Sequence, residues 1–427
     1  MGIAASQALA WGTLWGATAW GPLAAGPVGS LPRALIVTSL VLAACALDRW
    51  LGDPQGWPHP VQAMGALIGA LRQVAEAWAG ERPRRLRLAG LAIALVVLAA
   101  SGLVGWAVER LAIVWPALGV PLLLAALASA LAGGSLERAV RQVLSALAPA
   151  PPGCTDEGPG DERPEDPGGA MASPEVERLG QGREVQVPRA DPAGHPAAAA
   201  GLEPARQRLA WIVGRDVADL DEPEILRALA ETASENGVDG LFAPLFWMLV
   251  GAALWSLAPA ALAPWLPGPL CLAWLFKAAS TMDSMLGYRR GRLRWLGTAG
   301  ARLDDVLTWL PCRLVALSLA LFRPPSGSPA VGRSPRWRFR EALRQGRADP
   351  SPNAGVSQAA YALAAGVRLG GVNVYGGEPR AKPVLVAGAP VADRAAVGRV
   401  LGLNDRLELI WLGLGLPMLL LIAALSG

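Results

Sequence analysis

LRLAGLAIALVVLAASGLVGWAVERLAIVWPALGVPLLLAALASALAG, residues 86–133, carries charge only at Arg87, Glu109 and Arg110. A bilayer core is crossed by about 20 apolar helical residues. Segments 86–108 and 111–133 each reach that length once Arg87 is placed at the interface. Glu109-Arg110 then falls between them as a tight turn, and the stretch reads as a helical hairpin in a membrane. The preceding loop holds Arg82, Arg84, Arg85 and Arg87, and such a cluster favours the cytoplasmic side.

Working outward, the apolar segment 34–47 ends at Asp48-Arg49 and is short for a span, so Arg33 would lengthen it by snorkelling. Segments 241–258 and 261–276, broken by Pro259, Pro264 and Pro267, read as a second hairpin or a broken pair. Residues 409–425 form a strong final span. Residues 306–322 are interrupted by Pro311 and Arg313 and read as a buried or re-entrant helix packed on protein. The expected fold is an all-α polytopic membrane protein. It has about five transmembrane helices, re-entrant or buried helices, and large polar loops on one face.

The bulk numbers agree. Of 427 residues, 53% are hydrophobic and 17% charged, and the mean hydropathy is +0.35, against about 25% charged in soluble domains. Net charge is only +4 and the basic residues form no long run, which gives nucleic-acid binding no support. Cys45, Cys154, Cys271 and Cys312 are far apart, and with two histidines a zinc ribbon or histidine-rich metal site is excluded. Residues 1–32 carry no charge and read as an apolar N-terminal extension. Residues 33–148 hold membrane helices and the first polar loop. Residues 149–205, dense in Pro, Gly, Ala and acidic side chains, read as a disordered insertion. Residues 206–427 hold further loops and membrane helices.

Four polar clusters flank the apolar segments. The first, LDRWLGDP (47–54) with PHPV (58–61) and MG (64–65), sets Asp48, Asp53 and His59 at a helix end. In the second, Asp221 reads as a helix N-cap, with Pro223 in the first turn. Arg227, Glu231 and Glu235 then share one helix face. A solvated ladder is the commoner meaning of that pattern, but here the helix runs into a membrane hairpin through Asn236 and Asp239. The third is TMDSMLGYRR (281–290) followed by ARLDD (301–305). Arginine forks suit phosphate and paired carboxylates suit Mg²⁺. Positive-inside topology accounts for the arginines, but less well for Asp283, Asp304 and Asp305. The fourth is SPNAG (351–355) with RLGG (368–371) and YGG (375–377), a glycine-rich loop without any familiar nucleotide-binding motif.

In order and wording these clusters, with IVGRD (212–216) and ETASENGVDGLFAPLFW (231–247), resemble the CobD/CbiB family of adenosylcobinamide-phosphate synthases. The likeness spans residues 34–426 apart from the insertion. It implies an enzyme of cobalamin biosynthesis that joins aminopropanol phosphate or ethanolamine phosphate to adenosylcobyric acid, using ATP and Mg²⁺. Its partners would be the corrinoid, the amino-alcohol phosphate, the lipid bilayer and other enzymes of the pathway. Its place would be the inner membrane, with the active face cytoplasmic. Under this resemblance Asp304 and Asp305, with Glu231 or Glu235, hold Mg²⁺. Asp283, Arg302 and Glu235 are the catalytic candidates, with Asp283 taking a proton from the attacking ammonium. Asp53, His59, Arg215, Asn236, Asp239, Arg289, Arg290, Asn353, Arg368 and Tyr375 are the substrate-binding candidates. The family usually has His where Asp349 stands here, and often Asn at Ser280 and Thr308. The rival classes are a transporter, which would need polar groups near the bilayer midplane, and a non-catalytic scaffold, which would need no paired sets of carboxylates and arginines.

Overall fold

The structure is a computed structural model that describes residues 29–52, 59–147 and 196–425. Asp53, Cys154, His195 and most of segments 1–32 and 149–205 lie outside the described residues. The main helices, in chain order, are α1 (Ser30–Leu51), α2 (Pro60–Ala79), α3 (Pro83–Val114), α4 (Pro116–Ala128), α5 (Gly133–Ala146), α6 (Pro196–Leu209), α7 (Glu222–Gly237), α8 (Ala243–Leu257), α9 (Pro269–Leu286), α10 (Thr298–Leu319), α11 (Pro335–Gly346), α12 (Ala354–Ala365) and α13 (Arg394–Leu425). Proline opens several of them, where its missing N–H has no intrahelical partner to lose. Strands β1 (Leu369–Tyr375) and β2 (Glu378–Leu385) pair antiparallel between α12 and α13.

The protein is an all-α polytopic membrane protein. Among the described residues four helices are long and apolar enough to cross a bilayer: α1, α3, the continuous run Glu222–Leu257 and α13. The α4–α5 pair, bent by 44°, brings the number to five if it counts as one span. Helix α10 is not among them; it packs on α9 and α12 and leaves Val306, Trp309, Leu310 and Leu317 exposed. Pro311 inside α10 cannot donate to the Leu307 carbonyl. The Trp247 indole of α8 supplies that hydrogen bond instead, at 3.2 Å.

Four expectations need correction. Glu109-Arg110 is no turn: α3 runs through it, and the break comes at Trp115. Buried Glu109 accepts from the N–H groups of Gly268 (3.1 Å), Leu270 (2.8 Å) and Cys271 (3.1 Å), capping the start of α9. Arg33 does not snorkel. It is buried and donates to the Ala258 carbonyl at 2.8 Å, at the end of α8. Residues 196–205, assigned by composition to the insertion, begin α6, which buries Ala205 and Leu209. The glycine-rich loop is the β-hairpin, with Gly376-Gly377 at positive φ in its turn.

These contacts define two ends. At one, Ser30 Oγ donates to the Ala423 carbonyl at 2.6 Å, and Arg33 and Glu109 make the ties just given. At the other, Asp48 Oδ2 accepts from Gly133 N (3.0 Å) and Gly134 N (3.2 Å), capping α5. There Arg49 bridges Glu137 (3.2 Å) and Asp405. Arg292 pairs with Glu81 at 2.5 Å, and Arg87 lies over Trp295 at 4.5 Å. The candidate site is at this second end.

Candidate active site

The site is built on α7 and on the helices it meets. Asp221 caps α7 by accepting from Glu224 N at 2.8 Å. The Arg227–Glu231–Glu235 face is not solvated. Glu231, 1% exposed, is clasped by Arg215, by Arg227 Nη1 (3.2 Å) and by the Gly370 N–H (2.8 Å). Asn373 Oδ1 accepts from both Arg215 (2.8 Å) and Arg227 (3.0 Å). This buried network staples the hairpin to α7. Glu231 is thus an ion-pair partner, with guanidinium and amide donors on both carboxylate oxygens. Arg215 is likewise a brace.

One turn on, Glu235 Oε2 accepts from Gln358 Nε2 at 2.7 Å, with Lys382 and Asp349 within electrostatic reach. The helix then widens into a π-turn, Val238–Phe242. Such insertions re-aim side chains and recur at functional sites. Asp239, in that turn, lies within electrostatic reach of Asp304, Glu235, Asp283 and Lys277. Missing side chains let α10 close on α9: a Cβ on Gly300 would stand 2.9 Å from Met282 Cβ, and one on Gly297 1.9 Å from the Leu286 carbonyl oxygen. That approach faces Asp304 and Asp305 toward Asp283.

The carboxylates perturb one another. Burial, then Asp283, then Asp305 push the Asp304 carboxyl up to about 7. Burial, then Asp305 and Glu235, raise Asp283. Asp305 is also raised by burial, with Arg289 and Arg313 opposing. Asp304 Oδ1 is buried without a hydrogen-bond partner. Asn353, 5% exposed, accepts from Arg313 through Oδ1 and donates to the Asp305 carbonyl at 2.8 Å. It positions α10 and Arg313. Beside the carboxylates opens a cleft of about 510 Å³, lined by Asn236, Asp239, Lys277, Ser280, Ser284 and the exposed Trp211.

The structure thus gathers Glu235, Asp239, Asp283, Asp304 and Asp305, with Arg289 and Asn353 at the edge and Asn236 on the cleft. The other candidates stand apart. His59 caps α2, its Nδ1 accepting from Val61 N at 3.2 Å. Arg290 lies over Tyr288 at 5.2 Å. Arg302 is exposed and forms no ion pair among the described residues. Arg368 is exposed, and Tyr375 sits under Arg380 at 5.7 Å on the hairpin. Sequence reasoning misses Lys277 and Arg313. Lys277 lies in an apolar run, and Arg313 reads only as a helix interruption.

Among the described residues no group of three or more His, Cys, Asp or Glu side chains has the geometry to hold a metal ion. Magnesium bound with nucleotide asks less: one or two carboxylates, the rest being phosphate and water oxygens. The orphaned Asp304 Oδ1 and the mutual repulsion of Asp283, Asp304 and Asp305 are what such a cation would relieve. The residues fit Mg²⁺ carried in with phosphates.

A family model described as CobD/Cbib protein matches residues 41–152 and 190–404. The break between 152 and 190 falls inside the segment set apart by composition. The chain is 35% identical over 391 residues to the cobalamin biosynthesis protein CobD of Synechocystis sp., covering 91% of this chain and 94% of that one. It is 34% identical over 352 residues to CobD of Geobacter metallireducens (81% and 86%). It is 32% identical over 395 residues to the cobalamin biosynthesis protein CbiB of Salmonella typhimurium (91% and 98%). No solved structure matches the chain.

Proposed function

Since this chain belongs to the CobD/Cbib family, we propose that it works in cobalamin biosynthesis as an ATP-dependent amide ligase. The corrinoid carboxylate of adenosylcobyric acid takes the γ-phosphoryl group of ATP, releasing ADP. The amine of aminopropanol phosphate or ethanolamine phosphate then attacks the acyl carbon, and inorganic phosphate leaves. The carrying observation is the convergence of Asp283, Asp304 and Lys277 on Asp239, which together with Lys277 lines the cleft.

Each residue's part follows from its surroundings. Mg²⁺ bound with ATP supplies charge neutralisation at the phosphates. Asp304, with its unpartnered oxygen, and Asp305 would hold it. Lys277, within electrostatic reach of Asp239, and Arg289, within reach of Asp305, supply positive charge to phosphate oxygens. Asp283, raised in proton affinity, takes the proton the ammonium must lose, since a base works best with a pKa close to the working pH. Asn353 and Gln358 are positioning residues, fixing α10 and Glu235. Arg82, Arg84, Arg85 and Arg87 lie at the same end as the site, which favours an active face toward the cytoplasm at the inner membrane under the positive-inside rule.

The test uses purified protein in detergent with adenosylcobyric acid, ATP, Mg²⁺ and each amino-alcohol phosphate, followed by mass spectrometry of the corrinoid. Wild-type protein yields adenosylcobinamide phosphate, and Asp304→Asn loses at least a hundredfold in rate, within the ~10²–10⁴ that acid–base or electrostatic groups contribute. Folded wild type that converts neither amine sinks the proposal.

A further inference from the structure

Away from the carboxylates, a second cleft of about 400 Å³ opens between the end of α10, the end of α12 and the first half of α13. Arg323, Arg399 and Arg406 line it, Phe322 forms one wall, and no acidic side chain is among its lining residues. Arg323 and Arg406 are exposed and form no ion pair among the described residues. Arg399 donates its Nε to the Ala365 carbonyl at 2.9 Å, which anchors the guanidinium at the end of α12. Gly398 and Gly402, one turn apart on α13, form the floor. A Cβ on either would meet nothing within 4 Å, so the space above them is open.

Depth settles what enters. The exposed apolar face of α13 begins at Leu409 and Ile410. Arg406 is three residues before it, about 4.5 Å along the helix axis, and Arg399 ten residues before, about 15 Å. Leu321, 69% exposed, adds an apolar side chain beside Phe322. The guanidiniums therefore stand from the headgroup level outward, directly above apolar surface. A phosphate tethered to acyl chains satisfies both at once, and a free phosphate satisfies only the arginines. Basic pockets of this kind between membrane helices take anionic headgroups.

We propose that this cleft binds the headgroup phosphate of an anionic phospholipid. Arg323 and Arg406 hold the phosphate, Arg399 backs them, and the acyl chains run down along Leu409 and Ile410. Arg399 ties the cleft to the end of α12, whose N-terminal turn follows Asn353.

The test is native mass spectrometry of the full chain from detergent, titrated with phosphatidylglycerol, with phosphatidylcholine, and with phosphatidylglycerol in excess inorganic phosphate. Phosphatidylglycerol is expected to be retained at least tenfold more tightly than phosphatidylcholine, and inorganic phosphate does not displace it. At roughly 1 kcal/mol for each arginine, the pair Arg323→Gln/Arg406→Gln weakens retention about thirtyfold. Gly402→Leu, which keeps all three charges and fills the floor, weakens it as well. Circular dichroism melts matching wild type show that both variants are folded. Equal retention of the two lipids, or retention indifferent to both variants, overturns the proposal. Displacement by inorganic phosphate also overturns it, in favour of a free-phosphate site.

Discussion

At the scale of single residues the gathered carboxylates carry a cost in stability. Burial, then Asp283 and Asp305, hold the Asp304 carboxyl at about 7, against an ordinary 3.8. A carboxyl whose proton affinity rises on folding favours the fold below its ordinary pKa. That contribution is lost as pH rises through about 7. Asp304→Asn removes the titration, so thermal unfolding of this variant at pH 8 should need on the order of 1–3 kcal/mol more than wild type. At pH 5 the two should differ far less. Equal unfolding temperatures at both pH values would show that Asp304 is not strained by its neighbours. Asp283, Asp304 and Asp305 are legible in the sequence because topology has no use for acidic side chains at these points. The burial of Glu231 is hidden from the sequence because Gly370 of the hairpin, and Arg215 held by Asn373, reach it only in the fold. Spacing on α7 shows the Arg227 pair and nothing else. Glu109 misleads for the same reason: its three amide donors lie about 160 residues downstream.

At the scale of elements, the long apolar runs are readable and their junctions are not. A charged pair amid apolar residues resembles a turn, so the sequence suggests a cut in α3 at Glu109, though proline at residue 116 and the broken geometry at Trp115 mark the true end. The reverse holds at α10, where Pro311 looks like a break and is not one. The Leu307 carbonyl it leaves free is met by Trp247. Trp247→Phe should lower stability by about 1 kcal/mol, the usual net worth of one hydrogen bond at a half-buried position. In a Pro311→Ala background, where residue 311 can donate within the helix, the same change should cost clearly less. Denaturation of the four proteins of this cycle gives the coupling directly, and additive losses would mean the indole bond contributes nothing to α10. The π-turn at Asp239 has no sequence signature at all. It arises where α7 packs Gly237 against Asn404, within 2.8 Å of a would-be Cβ.

For the whole molecule, composition sets residues 149–205 apart, although 196–205 belong to α6, and the family match breaks within that stretch. Deleting 153–189 should leave the rate of the proposed ligation and the unfolding temperature within about twofold and a few degrees of wild type, because the family match passes over these residues. A tenfold loss of rate in the purified deletion protein would place that segment in function. The tie between the first and last membrane helices has a consequence for how the protein is made. Arg49 emerges from the ribosome early, yet one of its counter-charges, Asp405, is translated 356 residues later. Ser30 waits still longer, for the Ala423 carbonyl. Insertion therefore cannot proceed hairpin by hairpin to a finished bundle. Final docking of α1 at both its ends has to wait for α13. A chain stalled before α13 lacks both contacts, and Arg49 is left with Glu137 alone.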